Sequence, residues 1–401
     1  SCDVDVADLV AYLAEDPGCR AIACVFEGMA NPQRIIEAAQ IAQAVGKPLL
    51  IHKIATGEIG AAAAMSHTGS LAGSDAAYRA AFRRAGVIII DDFEALIEAA
   101  CFFAKAPPPK AEGVAVVATS GGAAIMAADK AEIHGVPLPQ PNPSVRAILE
   151  AHIPDFGSAN NPCDVTAQVV NNPESLRACG EALMSDAAFG ALVVPQPVAF
   201  AAHTPRIAAF SELSQKHGKI TCNVTISEWL QGPATLEAEE NAHVAQFRSM
   251  ARCFATLAQW HQRDARLRRG PRKLERLTDD KVATAAAELI RRAGNTVLAE
   301  SESKQVLDLY GIPVVREILA QSADDAVAAA NALGYPVVLK VESVDLPHKT
   351  EAGVIRLNLG SETAVRKAFA EVMANARKVE PLPRIDGVLV QPQIGAGVEI
   401  M

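Results

Sequence analysis

Short apolar runs alternate along the first hundred residues with longer segments whose apolar positions recur every three or four residues. "CRAIACVFEG" (19–28) and "KPLLIHKI" (47–54) are apolar runs bounded by Gly or Pro, and they read as buried strands. Between them, "NPQRIIEAAQIAQAVG" (31–46) has helical spacing, with Asn at the cap and Pro at the first helical position. "SDAAYRAAFRRAG" (74–86) is a second helix with Ser74 as its cap, "VIIID" (87–91) a third strand and "DFEALIEAACFFAK" (92–105) a third helix. This βαβα rhythm predicts a parallel sheet with helices on both faces.

"APPPKAEG" (106–113) reads as a stiff proline linker. A second α/β unit follows: the strand "VAVVATSGG" (114–122), the helix "AAIMAADKAEIHG", strands at 190–197 and 219–224, and a closing helix over 241–263. The basic, Gly-Pro-broken stretch 264–277 reads as a solvated linker. Beyond it the pattern changes. Strands at 313–321, 336–343, 353–360 and 386–394 with helices at 323–334 and 361–378 give βαββαβ, the split ferredoxin-like order.

Composition narrows the function. Of 401 residues, half are hydrophobic and only 4% aromatic, which suits helices packed on sheets through small side chains. The net charge of −9 argues against a general nucleic-acid binder. Eight scattered Cys form no CxxC pair and several lie in apolar runs, which points to a reducing cytoplasm. Neither a signal peptide nor an apolar run of membrane-spanning length is visible. The chain starts with Ser and stops just after a strand, so a fragment of a longer protein is expected.

Against this background a few residues stand out. "SHTGSLAGSD" strips bulky side chains from around His67 and reads as a small-residue loop between a strand and a helix. Free amides at a helix start form an anion site, and imidazole is a fair nucleophile toward phosphorus. Thr68, Gly69, Ser70 and Ser74 could add donors. The bland alternative is a loop histidine with one hydrogen bond. A phosphorylated imidazole needs an acceptor on its second nitrogen. Glu27, closing an apolar strand, is one candidate and Glu58 a rival, while Glu27 could equally cap the helix at 31–46. Ser120, Gly121 and Gly122 repeat the strand–Gly–helix logic as a second phosphate cradle. In "NNPCDVT", Asn161 and Asp164 mark a polar turn in which Asp164 caps a helix or orients a substrate. Lys340 ends an apolar strand, where an ammonium needs an anion: a nucleotide phosphate, or Glu342 or Glu351. His348 lies in the polar loop beyond it, His52 reads as a core histidine and Trp229 as a packing residue.

Taken in order, "SHTGSLAGSDAAYRAAFRRAGVI", "VAVVATSGG", "NPCDVT" and "PVVLKVES…HKTEAGVI" resemble the NDP-forming acyl-CoA synthetases, the ADP-forming acetate–CoA ligase relatives of succinyl-CoA synthetase. The resemblance covers nearly the whole chain. It implies an α/β protein with two flavodoxin-like (succinyl-CoA synthetase-like) parallel-sheet domains, at 1–108 and 112–265, a basic linker at 266–277 and the first half of an ATP-grasp domain at 278–401. It implies that a carboxylic acid, CoA and ATP become acyl-CoA, ADP and phosphate through an acyl phosphate. On the same footing His67 matches the phosphorylated histidine, Glu27 its stabilising glutamate and His348 the relay histidine. Lys340 and Glu399 fall on the nucleotide side, and the starts of the helices after His67 and Ser120 resemble the pair flanking the phosphohistidine. ATP or ADP, Mg2+ and CoA are the implied ligands, and a homodimer the implied assembly. The family's CoA-binding domain would precede Ser1 and its magnesium-binding acids would follow Met401, so this stretch alone is not expected to complete catalysis. The rival reading is a non-catalytic, ligase-like CoA- and nucleotide-binding regulatory module. A flavodoxin-type redox protein fails for want of any flavin signal beyond the fold.

Overall fold

A computed structural model describes residues 3–68, 74–167, 172–227, 232–270, 278–294, 297–346, 349–395 and 397, with the backbone alone at 67, 68, 173, 202 and 293. The chain forms two compact units, Ser1–Arg272 and Lys273–Met401.

The first unit holds two parallel sheets. In the first sheet β1 (Ile22–Phe26), β2 (Leu49–Lys53) and β3 (Ile88–Ile89) lie in sequence order, with Ile22 opposite Leu49 and Leu50 opposite Ile88. Around it run α1 (Val6–Glu15), α2 (Pro32–Ala44), α3 (Glu58–Thr68), α4 (Asp75–Ala85) and α5 (Phe93–Lys105). Local chemistry sets the ends. Asn31 caps α2 through Gln33 N at 3.2 Å, and Gly86 closes α4 at φ +86°, where a side chain would be strained. The sequence pattern misses α1, which Asp5 and Asp8 start as a reciprocal capping pair.

The segment read as a loop around His67 is helix instead: α3 runs through Thr68 and His67 sits in its last turn. Four consecutive Ala and a Met carry the highest helix propensity, which overrides the signal of small side chains.

The second sheet comprises β4 (Gly113–Ala118), β5 (Cys163–Asp164), β6 (Phe189–Gln196), β7 (Ile220–Thr225) and β8 (Val244–Phe247). Its order, β5-β4-β6-β7-β8, all parallel, is the flavodoxin-like order. On one face α6 (Gly121–His134) and α11 (Met250–Arg269) pack on Val114, Val116, Val193 and Cys222. On the other, α7 (Pro143–His152), α8 (Pro173–Ser185), α9 (Thr204–His217) and α10 (Pro233–Glu240) enclose Val117, Leu192 and Val194. The single helix expected over 241–263 divides into β8 and α11, because Ser249 caps a new helix through Arg252 N. That helix continues to Arg269, through the start of the expected linker.

The stretch 106–113 is held rather than free: Trp260 Nε1 donates to Pro107 O at 3.0 Å and Lys110 Nζ to His217 O at 2.6 Å. One apolar cluster runs from Leu50, Ile88 and Phe102 through Val114 and Val193 to Phe247 and Trp260, so both sheets share a core.

The second unit carries α12 (Asp280–Ala293) and α13 (Glu300–Leu309), which the sequence pattern does not reveal. Then come β9 (Ile318–Ala320), α14 (Ala323–Leu333), β10 (Val337–Glu342), β11 (Ile355–Leu359), α15 (Glu362–Ala376) and β12 (Gly387–Pro392). The βαββαβ order is as read, and all pairings are antiparallel in the order β11-β10-β12-β9. Two split crossovers interlock, but the central strands are the second and fourth rather than the first and third of a ferredoxin-like sheet.

Candidate functional site

At the carboxyl edge of the first sheet Glu27 follows β1, partly buried, and Lys53 ends β2 only 3% exposed. Lys53 Nζ donates to the carbonyls of Glu27 at 2.7 Å and Ile54 at 2.6 Å, and lies 5.5 Å from the Tyr78 ring centre. Burial pulls the Lys53 pKa down, while the charges of Asp75 and Glu27 oppose that fall. Asp75 opens α4 and binds Arg79 at 2.7 Å, and Arg79 also binds Asp91 at 2.6 Å. Asp75 Oδ1 is buried without a hydrogen-bond partner. Strand ends therefore bring Glu27, Lys53 and the start of α4 together.

His67 and Thr68 are placed by their backbone at the end of α3, and Gly69 and Ser70 lie outside the described residues. A helix end presents carbonyls, so among the described residues the free amides at this edge come from the start of α4 and not from the turn that carries His67. Glu58 stands nine residues before His67 on the same helix, about 13 Å along its axis at 1.5 Å per residue. That separation argues against Glu58 as a partner of His67 while α3 is intact.

The second sheet has its topological switch point between β4 and β6, the place where open α/β sheets bind ligands. Ser120, Gly121 and Gly122 start α6 there. The Ser120 side chain makes no capping hydrogen bond, so its hydroxyl remains free of that duty. Asp164, at the end of neighbouring β5, brings Oδ2 within 3.1 Å of where a Cβ on Gly121 would sit, and its Oδ1 accepts from Thr166 N at 2.9 Å. Asn161, 4% exposed, is engaged by the fold: Oδ1 accepts from Val116 N at 2.9 Å, and Nδ2 donates to Val114 O at 2.8 Å and Pro139 O at 3.0 Å.

In the second unit Lys340 faces neither Glu342 nor Glu351. Its Nζ lies 3.1 Å from Glu300 Oε1. Lys304 and Lys349 reach the same carboxylate at 2.9 and 2.8 Å. Lys304 also pairs with Glu317, and Lys349 stands 3.5 Å from Glu342. Gln391 donates to Glu300 at 3.1 Å and to Glu317 at 2.9 Å. Burial pushes the Glu300 carboxyl up, but hydrogen bonds from Lys349 and Lys304 and the nearby Lys340 hold it far below the usual carboxylate range. Three ammonium groups thus meet three carboxylates, those of Glu300, Glu317 and Glu342, and a polyphosphate would take the place of these partners around the lysines. The sequence reading missed Lys53, Lys304, Lys349 and Glu300. The rule that singled out Lys340, a lysine ending an apolar strand, also selects Lys53. His348 and Glu399 lie outside the described residues, as does Trp229. Among the described residues no group of three or more His, Cys, Asp or Glu is placed to hold a metal, and no helix is long and apolar enough to cross a membrane.

Two family models match: a succinyl-CoA ligase-like flavodoxin domain over residues 1–103 and an ATP-grasp domain over 289–401. An ADP-forming acetate–CoA ligase I of Archaeoglobus fulgidus is 31% identical over 99% of this chain and 56% of its own length. An ADP-forming 4-hydroxybutyrate–CoA ligase of Nitrosopumilus maritimus is 28% identical over 98% of this chain and 56% of its own. The chain thus spans a little over half the length of these curated relatives. Among solved structures, a dinucleotide-forming acetyl-coenzyme A synthetase of Ca. Korarchaeum cryptofilum, in complex with phosphate and ADP, is similar in fold. It aligns with a TM-score of 0.57 and 24% identity over 66% of this chain and 57% of its own.

Proposed function

Because the chain belongs to the NDP-forming acyl-CoA synthetases, the ADP-forming relatives of succinyl-CoA synthetase, we propose that its protein converts a carboxylic acid, CoA and ATP reversibly to acyl-CoA, ADP and phosphate. A nitrogen of His348 takes the γ-phosphoryl group and ADP leaves, and a nitrogen of His67 then takes the group from His348, which is restored. An oxygen of the acid then takes the phosphoryl group, which restores His67 and forms an acyl phosphate. The CoA sulfur attacks the acyl carbon, its proton goes to solvent, and phosphate departs with the broken C–O bond.

Each residue has a part in this scheme. Glu27 accepts the N–H of the second His67 nitrogen and supports the charge. Thr68, Gly69, Ser70 and the start of α4 steady the phosphoryl group on His67. Ser120, Gly121 and Gly122 receive it at the start of α6, where amides and the helix dipole favour an anion. Asp164 orients the acid beside Gly121, and Asn161 holds the turn that carries Asp164 against β4. Lys340, with Lys349 and Lys304, binds the nucleotide phosphates, Glu399 serves the adenine side, and His348 hands the phosphoryl group on. Magnesium would arrive with the nucleotide and neutralise part of its charge. We place the reaction in the cytoplasm, in a homodimer.

The observation that carries this reading is the convergence of Lys340 and Lys349 on one carboxylate, in a chain that also holds the S-H-T-G motif. The test uses full-length protein and ATP radiolabelled at its γ-phosphate. An acid-labile, base-stable label is expected that acid plus CoA discharges and that His67→Ala lowers and makes insensitive to acid plus CoA. A label indifferent to that substitution refutes it, and CoA binding without acid-dependent ADP release would favour the non-catalytic module.

A further inference from the structure

One cation at the carboxyl edge of the second sheet faces no carboxylate among the described residues. Arg206 lies in the first turn of α9, partly buried, and its Nη1 donates to Gln196 Oε1 at 3.2 Å. Burial lowers its pKa, and among the described residues no neighbouring charge opposes that fall. Gln196 ends β6, 2% exposed. A guanidinium only donates, so Oε1 must face Arg206 and Nε2 is turned elsewhere. That Nε2 is buried with no hydrogen-bond partner. The side chains beside it are satisfied: Asn223 Nδ2 donates to Gln246 Oε1 at 2.6 Å, and Gln246 Nε2 to Thr225 Oγ1 at 3.0 Å. A guanidinium that faces no carboxylate among the described residues and an amide donor without a partner, side by side, form a two-donor seat for a planar oxyanion.

The surroundings shape this seat. The register of Val116 with Val193 puts Gln196 level with Thr119, next to Ser120. Gln196 shares the face of Leu192 and Val194, against which α9 packs, whereas α6 packs on Val114, Val116 and Val193. The seat is therefore across β6 from the start of α6, beside the crevice but away from the phosphoryl cradle. The loop after β6 is pinned. His203 Nδ1 meets Val198 O at 2.8 Å, and Gly232 approaches so closely that a Cβ there would lie 1.7 Å from Ala199 O. Phe200 on this loop is largely exposed, with its ring centre 6.0 Å from that of His203, and gives the crevice an apolar wall.

We propose that Arg206 and Gln196 bind a second carboxylate on the acid substrate, so that the ligase prefers dicarboxylic acids. The inference rests on the acid–CoA ligase reading above. Initial rates of full-length protein with succinate and glutarate, set against butyrate and pentanoate, test it. The dicarboxylates should show kcat/KM roughly 10- to 100-fold higher, the range a charge-assisted pair supplies, expressed mainly in KM. Arg206→Gln should bring the dicarboxylate-to-monocarboxylate ratio near one, and Arg206→Lys should restore part of it. His67 labelling by ATP, which needs no acid, verifies that each variant is folded. Equal use of both acid classes by the unaltered protein, or a ratio unmoved by Arg206→Gln, overturns the proposal. If no acid turns over, the ligase reading fails on its own, and calorimetric titration with glutarate still decides. Binding lost in Arg206→Gln and weakened in Arg206→Lys supports the seat, and no binding to the unaltered protein overturns it.

Discussion

Lys53 illustrates how a single side chain ties strand ends to chemistry. Its ammonium is sunk at the edge of the first sheet and held by the carbonyls of Glu27 and Ile54. A buried positive charge beside Glu27 fixes that segment and adds an attractive field for a phosphoryl group nearby. Lys53→Met keeps the bulk and removes the charge. On the proposed phosphohistidine reading, the label on His67 should hydrolyse about tenfold faster in that variant, equivalent to about 1.4 kcal/mol. Burial depresses the Lys53 pKa, so its charge is present below that pKa and is lost as pH rises through it. Phosphoenzyme lifetime in the unaltered protein should therefore fall with rising pH before the ordinary lysine range is reached. Decay of the label over a pH series, in both proteins, measures this; identical profiles would remove Lys53 from the account.

Among the elements, the second unit depends most on one carboxylate. Glu300 opens α13 and collects Lys304, Lys340 and Lys349, tying that helix to β10 and to the turn beyond it. Its pKa is depressed in the fold, so its contribution is fully present above the unfolded carboxyl range and is lost as pH falls toward its folded value. Glu300→Gln should destabilise this unit by roughly 1–3 kcal/mol at neutral pH and flatten its stability across the acid range. Urea titrations at a series of pH values read both effects. Element patterns were legible where period and caps agreed, as in α2, α4 and α5, and failed where they conflicted. The alanine run of α3 resembles a loop in sequence because small side chains signal open space as well as helix propensity. β8 merges in sequence with the helix after it because only its partner β7 marks it as a strand. The candidate site is marked in the sequence only by motifs. The partners of its residues are not marked, because Glu300 and Lys340 are forty positions apart and meet only through the fold.

At the scale of the molecule, the two parallel sheets of the first unit depend on one another. Phe102 on α5 belongs to the first sheet's own helices, yet its ring meets Trp260 edge-on at 5.7 Å and Phe247 at 6.0 Å, both of them beyond the second sheet's last crossover. It is fully buried in the cluster that also contains Leu50 and Val114. Lys105, one turn on, donates to Ala238 O at 3.3 Å, Glu239 O at 2.8 Å and Val244 O at 3.0 Å. Close-packed interiors relax poorly around a deleted ring, so Phe102→Ala should cost about 3–5 kcal/mol. Hydrogen exchange on the full chain distinguishes a shared core from two adjoining ones. With a shared core, amides of β1 and β2 and amides of β4, β6 and β7 lose protection by the same free energy, because one cooperative opening exposes both sheets. Loss confined to β1–β3 would mean that the two sheets fold as separate cooperative units. A shared core also holds the two strand edges, one carrying Glu27 and Lys53, the other Ser120 and Asp164, at a fixed separation, because a close-packed interior does not let one sheet slide on the other.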